Sequence, residues 1–193
     1  MALKTKENLK DVFSGISSVL FQSTAATFTT NSGVTTVTLD PDYDLPVHVD
    51  DLSLSEGDPS INHYKVFGLD TDWVATTTKG DFDLSMVVPT LHEDVLKLAY
   101  GVDAISTVST TYGGSNWAGV GAELGTHEVR GTLALLNQAK DRLLILSNVV
   151  LWASLTYDNG STDPVGIRLS GTIESNNGPD ILFLKKGSEQ GQA

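Results

Sequence analysis

The sequence predicts a mainly β protein: a β-sandwich or partly rolled barrel with one flanking α-helix at about residues 90–100 and a long acidic loop at about 40–62. Three observations carry that prediction. Apolar and polar residues alternate at period two in several short runs, turn residues recur between those runs, and a single segment combines helical spacing with a cap. With 193 residues, 40% of them hydrophobic, the chain can bury a substantial core. The expected organisation is one domain over 1–186 that includes an N-terminal arm at 1–16, followed by a disordered tail at 187–193.

In chain order, Leu9, Val12, Phe13 and Ile16 fall at helical spacing, whereas residues 17–22 look extended, which suits an arm. Residues 34–39, VTTVTL, are rich in β-branched side chains and predict a strand. Further strands are expected at 63–67 and around 73–78, separated by Gly68.

The clearest element is 81–88. Phe82, Leu84, Met86 and Val88 alternate with Asp81, Asp83, Ser85 and Val87, the signature of a half-buried strand. Pro89 ends it, because proline has no N–H for the ladder. Thr90 and Glu93 then match the S/T-x-x-E capping box, so a helix is expected from Leu91 to a left-handed Gly101. It places Glu93 and Asp94 in the first turn and Lys97 in the last, and it presents Leu91, Val95 and Leu98 on one face. A helix this short is marginal alone and must be held by packing.

Residues 109–125 hold five glycines with Tyr112 and Trp117 and read as a loop with one short strand at most. Residues 132–137 and 143–157 flank a turn at 138–141. The second arm, LLILSNVVLWASLTY, is apolar on both pleat faces and predicts a central strand covered on both sides. A turn at 158–164 leads to 165–174, where Val165, Ile167, Leu169, Gly171 and Ile173 alternate with Gly166, Arg168, Ser170, Thr172 and Glu174. A last turn at 177–179 leads to a strand at 181–184. The count is seven to nine strands and one helix, hence the sandwich.

The formal net charge is −12, from 24 acids and 12 bases. No Lys or Arg lies between Asp11 and Tyr64, and seven acids fall between Asp40 and Asp58: Asp40, Asp42, Asp44, Asp50, Asp51, Glu56 and Asp58. Interleaved with Pro41, Pro46, Gly57 and Pro59, they predict a solvated loop or a partner-contacting arm. Tight nucleic-acid binding is disfavoured, since phosphate contacts need clustered Lys and Arg. The absence of cysteine removes disulfides, thiolate metal sites and cysteine nucleophiles. No apolar run reaches transmembrane length, and no secretion signal is read at the N-terminus, so synthesis in the cytoplasm is expected.

Motifs that could carry chemistry fail their physical requirements. His92-Glu93 opens like H-E-x-x-H, but Leu96 stands where the second histidine belongs. The glycines at 119, 121 and 125 miss the dinucleotide spacing and have no βαβ unit around them. Asp40, Asp42, Asp44 and Asp51 follow calcium-loop positions, yet Leu45 replaces the turn glycine and Asp51 the longer glutamate, which makes a chance match in an acidic loop. Asp81 and Asp83 lie about 7 Å apart on one strand, whereas glycosidase carboxylates come from different elements. His48, His63, His92 and His127 join no nucleophile motif, and Asn159-Gly-Ser161 reads as a turn. Catalytic residues, cofactors and metals are therefore all expected to be none.

The segment GDFDLSMVVPT with its helix, then LLNQAKDRLLILSNVVLWASL and DPVGIRLSGTIESNN, resembles the major tail tube proteins of long-tailed bacteriophages. The resemblance covers about 67–184 as a pattern of elements. It implies a virion structural subunit that joins its neighbours into hexameric rings, stacked into a hollow tube for DNA passage. Six copies at −12 each give −72 per ring, and an acidic lumen repels phosphates so that DNA slides without adhering. By the same analogy Asp81, Asp83, Ser85, Arg168 and Glu174 are candidates to face the lumen, and the acids of the 40–62 loop are candidates for ring-to-ring contact. The expected partners are further copies of the chain, tape measure and tail completion proteins, with no membrane. The expected location is the virion tail.

Two alternatives stand beside this reading. One is the inner tube of a contractile injection or secretion system, and the other a carbohydrate-binding β-sandwich module. The second calls for exposed aromatics clustered on one face. Trp73 and Trp152 fall in predicted strands and read as core, which leaves Trp117 and Tyr112 in a loop.

Overall fold

The computed structural model describes residues 5, 12–68, 70–157 and 164–187. Its strands in chain order are β1 (Ile16–Gln22), β2 (Thr27–Asn31), β3 (Val34–Thr38), β4 (Tyr43–Leu45), β5 (Ser53–Glu56), β6 (Ser60–Tyr64), β7 (Val74–Thr78), β8 (Phe82–Val88), β9 (Ile105–Tyr112), β10 (Ser115–Ala122), β11 (Glu128–Asn137), β12 (Arg142–Thr156), β13 (Gly166–Ile173) and β14 (Ile181–Lys185). Helix α1 (Glu93–Tyr100) lies between β8 and β9. Hydrogen-bonded pairing runs β4-β1-β11-β12-β13-β8-β5, with β14 also paired to β12, and three two-stranded hairpins stand apart: β2-β3, β6-β7 and β9-β10. The chain divides into two compact units, interleaved in sequence.

The first unit comprises Met1–Leu45, Gly131–Asn148 and Ser175–Ala193. Here β1 runs antiparallel to both β11 and β4, and the first half of β12 pairs with β14. Val19, Phe21, Leu45, Leu133, Leu135, Ile145 and Leu146 form its core. Leu144, Ile145, Leu146 and Ser147 are buried consecutively, so this half of β12 is covered on both faces as its sequence requires. Asn137 organises the turn into β12. Its Oδ1 accepts from the backbone N–H of Asp141 and of Arg142, each at 3.0 Å, while its Nδ2 donates to the Asp141 carboxylate at 2.7 Å.

The second unit comprises Pro46–Arg130 and Val149–Glu174. The second half of β12 pairs with β13, β13 with β8 and β8 with β5, all antiparallel. Leu84, Met86 and Val88 are buried with Leu151, Ile167 and Leu169, as the alternation predicts. Val87 is buried as well, against expectation, since it comes from the polar face.

Helix α1 begins two residues later than the capping box suggests. His92 is the N-cap and its Nδ1 accepts from Asp94 N–H, while Thr90 Oγ1 accepts from His92 N–H, so Thr90 braces the approach to the helix. The buried side chains are Val95, Leu96, Ala99 and Tyr100; Leu91 lies outside the helix and is 46% exposed. Glu93 and Lys97 pair at 2.6 Å, and Gly101, at φ 91°, closes the helix by donating to Lys97 C=O.

Two segments expected as loops contain strands. Residues 40–62 include β4, β5, the start of β6 and a 3-10 turn at Val49–Asp51. Pro41, Pro46 and Pro59 fall between these strands and not within them, so the residues that signalled a loop punctuate a run of short strands. Residues 109–125 hold most of the β9-β10 hairpin, whose turn is Gly113-Gly114 at φ 61° and 78°. Both central residues need positive φ in such a turn. Ser32-Gly33 does the same between β2 and β3.

At the N-terminus, residues 12–15 are not helical and Ile16 opens β1; Leu9 and most of the arm lie outside the described residues, as do most of the turn at 158–164 and tail residues 188–193.

Candidate functional site

The second unit has one sheet face that is not apolar, and strand register specifies its residues. Residues directly opposite in an antiparallel pair share a face. Ser53 stands opposite Ser85 and Ser55 opposite Asp83. Ser85 in turn stands opposite Ser170, and Ser170 opposite Trp152. Val87, Arg168 and Ser154 form the next row. The other face of the same strands carries the buried Leu84, Met86, Leu151, Ile167 and Leu169. Asp81, Asp83, Ser85, Trp152, Ser170 and Thr172 line an open depression of about 540 Å³ on the polar face.

Of the five candidate lumen residues, Asp81, Asp83 and Ser85 are thus brought together, with Arg168 exposed one row further on. Glu174 lies past the end of β13 and is engaged elsewhere. Arg130 grips it with both guanidinium nitrogens, at 2.5 and 3.3 Å, and also bonds Glu128. Those hydrogen bonds hold the Glu174 carboxyl below the ordinary glutamate range and raise Arg130 further. No local pattern marks this bidentate pair, because its members are 44 residues apart.

The seven acids of the expected stacking loop divide between the two units. Asp40, Asp42 and Asp44 belong to the first unit and are tied to β1 or its end. Ser23 N–H donates to Asp42 at 2.7 Å and lowers its pKa, Ser18 Oγ donates to Asp44 at 2.6 Å, and Asp40 N–H donates to Gln22 Oε1 at 2.7 Å. Asp50, Asp51, Glu56 and Asp58 belong to the second unit, where Asp51 contacts His48 at 3.0 Å and Glu56 lies 3.5 Å from Lys79. Among the described residues, no group of three or more His, Asp or Glu side chains is placed to hold a metal ion.

Each histidine has a local contact. His63 Nδ1 lies 2.5 Å from Asp72, His92 caps α1 and the His127 ring lies against Gly101.

The tryptophans correct the sequence reading most sharply. Trp73 and Trp152, expected in the core, are 66% and 41% exposed, and Trp117 is 59% exposed. Trp73 lies just before β7, Trp117 on β10 and Trp152 on the polar face, so the exposed aromatics are spread over three separate sheets. All three hairpins carry exposed apolar residues: Val34 on β2-β3, Ile61 and Tyr64 on β6-β7, and Val108, Tyr112 and Trp117 on β9-β10. Strand alternation could not find these, because both faces of a detached hairpin meet solvent.

The fold defines a mainly β protein, with one α-helix among the described residues. Comparison with known proteins finds no family model, no curated protein and no solved structure that matches the chain. Among the described residues, no helix is long and apolar enough to cross a membrane.

Proposed function

We propose that the chain is the structural subunit of a phage tail tube, in which copies assemble into hexameric rings stacked around an acidic lumen. The observation that carries this reading is a polar serine and aspartate face on a sheet that ends in β5, which among the described residues pairs on one side only, with β8. An edge strand presents N–H and C=O groups that call for another strand. Pairing it with the next copy extends the sheet and carries Asp83, Ser85, Ser53 and Ser55 round as a continuous wall. Arg168 is the one base in those rows, so the wall stays acidic and repels phosphates. The rest of the tail, tape measure and completion proteins included, supplies its other partners.

The inner tube of a contractile injection or secretion system requires the same subunit properties. A carbohydrate-binding module is favoured by one feature only: Trp152 and Asp83 line the same depression, an aromatic plane beside a carboxylate. Size-exclusion chromatography with light scattering over a concentration series separates these classes. The tube reading predicts a species of six subunits or multiples of six. A monomer that binds glycans on an array, and loses them with Trp152→Ala, overturns it in favour of the module.

A further inference from the structure

The chain is strongly acidic, yet four of its twelve bases gather in one place in the first unit. Lys140 stands in the β11-β12 turn, Arg142 opens β12, Lys185 ends β14 and Lys186 follows it. The strands are held together there by pairing of Arg142 with Lys185 in register and by Lys186 N–H donating to Asp141 C=O at 2.8 Å. The bases rim two adjoining depressions of about 360 and 310 Å³ that share Leu143 and Leu184. Phe13 and Phe183 complete the apolar lining, and Phe183 is 74% exposed. The result is an apolar groove whose rim carries four bases against one acid, Asp141.

The second unit carries the complementary surface. In the β6-β7 hairpin every strand residue is exposed, and a lone two-stranded hairpin is marginal in water. Its connection bears Val66, Trp73 and a fully exposed Phe67. That connection carries two acids, Asp70 and Asp72, against one base, Lys65, while Glu56 and Asp58 precede β6 at the other end of the hairpin, where Glu56 lies 3.5 Å from Lys79. His63 and Lys65 both engage Asp72, at 2.5 and 3.9 Å, and brace the hairpin where it opens.

We infer that the basic-rimmed groove between β12 and β14 seats the acidic, Phe67-bearing tip of the β6-β7 hairpin of a second copy of the chain. The inference rests on the assembly reading above and names a contact that assembly uses. Burial of Phe67 and Trp73 against Phe183, Leu184 and Leu143 provides the driving force. The opposite charges steer the encounter and set its register. Groove and tip are different surfaces, so the contact is head-to-tail and either closes a ring or propagates along a filament.

A charge swap tests this by sedimentation velocity on the full chain, with thermal melts confirming that each variant is folded. Lys185→Glu with Lys186→Glu, and separately Asp70→Lys with Asp72→Lys, are each expected to weaken self-association by about tenfold or more, and the chain with all four changes to recover most of that loss. Phe67→Ser should weaken association as strongly as either pair. The inference is overturned if neither pair alters association, if the fourfold variant stays as weak as the pairs, or if the parent chain remains monomeric throughout. Association that appears only after deletion of residues 1–11 also overturns it, by making the chain's own N-terminus the occupant. Rings that form in the parent and persist in all variants remove this contact and leave the tube reading standing. A successful swap without rings keeps the contact and removes the tube.

Discussion

Strands β8 and β13 and hairpin β9-β10 belong to the same unit and draw on similar β-branched residues, yet they meet solvent differently. Met86, Val88, Ile167 and Leu169 are at most 1% exposed, whereas every residue of β9-β10 is exposed except those nearest α1. Strands of the first kind are stabilised by their own core. Those of the second kind hold Val108, Tyr112 and Trp117 in water, where the chain alone gains nothing from their apolar area. One set of strands is held by the chain's own core, and in the proposed assembly the other would meet a partner. Mutations should therefore separate into those that unfold the chain and those that leave it folded but alone.

The largest effect belongs to a charge in the core. Val95→Asp buries an unpaired carboxylate on α1, a cost of several kcal/mol that approaches the whole stability of a domain, and should abolish a cooperative thermal transition. Leu91→Asp, two residues before the helix and exposed, should stay within about 0.5 kcal/mol of the parent in urea unfolding. Next comes truncation within one strand. Leu151→Ala, fully buried, should cost about 2–5 kcal/mol, and Leu155→Ala, half exposed further along β12, under about 1 kcal/mol.

Backbone proximity gives a third contrast. A Cβ on Gly171 would stand 1.9 Å from the Val150 carbonyl oxygen, so Gly171→Ala should destabilise by about 1–3 kcal/mol. Gly119 on the exposed hairpin has nothing within 4 Å, and Gly119→Ala should be neutral or stabilise slightly in the same denaturant titration. Fourth, Trp117→Ser should leave the melting temperature unchanged while lowering the fraction of assembled chain in light scattering.

The smallest effect is electrostatic. The folded Glu174 carboxyl sits below its ordinary range because Arg130 bonds it, so its contribution is present above that range and fades as pH falls through the lowered value. Both side chains are exposed, which keeps the effect small. Glu174→Gln should flatten the acid side of the stability-against-pH profile only slightly, and Arg130→Gln should do the same.

Much of the fold could be read from the residues. The alternation at 82–88, the doubly apolar run of β12 and the alternating β13 are set by burial of their own side chains, and the structure pairs them in one sheet. Helix α1 was legible from its first-turn acids, Lys97 and Gly101, although His92 provides the cap and Leu96 and Ala99, not Leu91, provide the buried face. The hairpins were harder. Gly113-Gly114 and Ser32-Gly33 are turn signals in retrospect, but glycines such as those at 113–125 also suit loops, and only pairing with a second strand decides between the two. On the candidate face, the shared side of Asp81, Asp83 and Ser85 was written in the period of β8. Its neighbours Trp152, Ser53 and Ser55 depend on register across three strands, and Arg130 on a contact between distant segments, neither of which a local pattern contains.

Electron micrographs of the purified chain, negatively stained at increasing concentration, decide whether it builds a tube. A tail tube subunit should give six-fold rings with a stain-filled central hole that stack into tubes as concentration rises. Compact particles without a hole at every concentration, or assemblies without rotational symmetry, would contradict it.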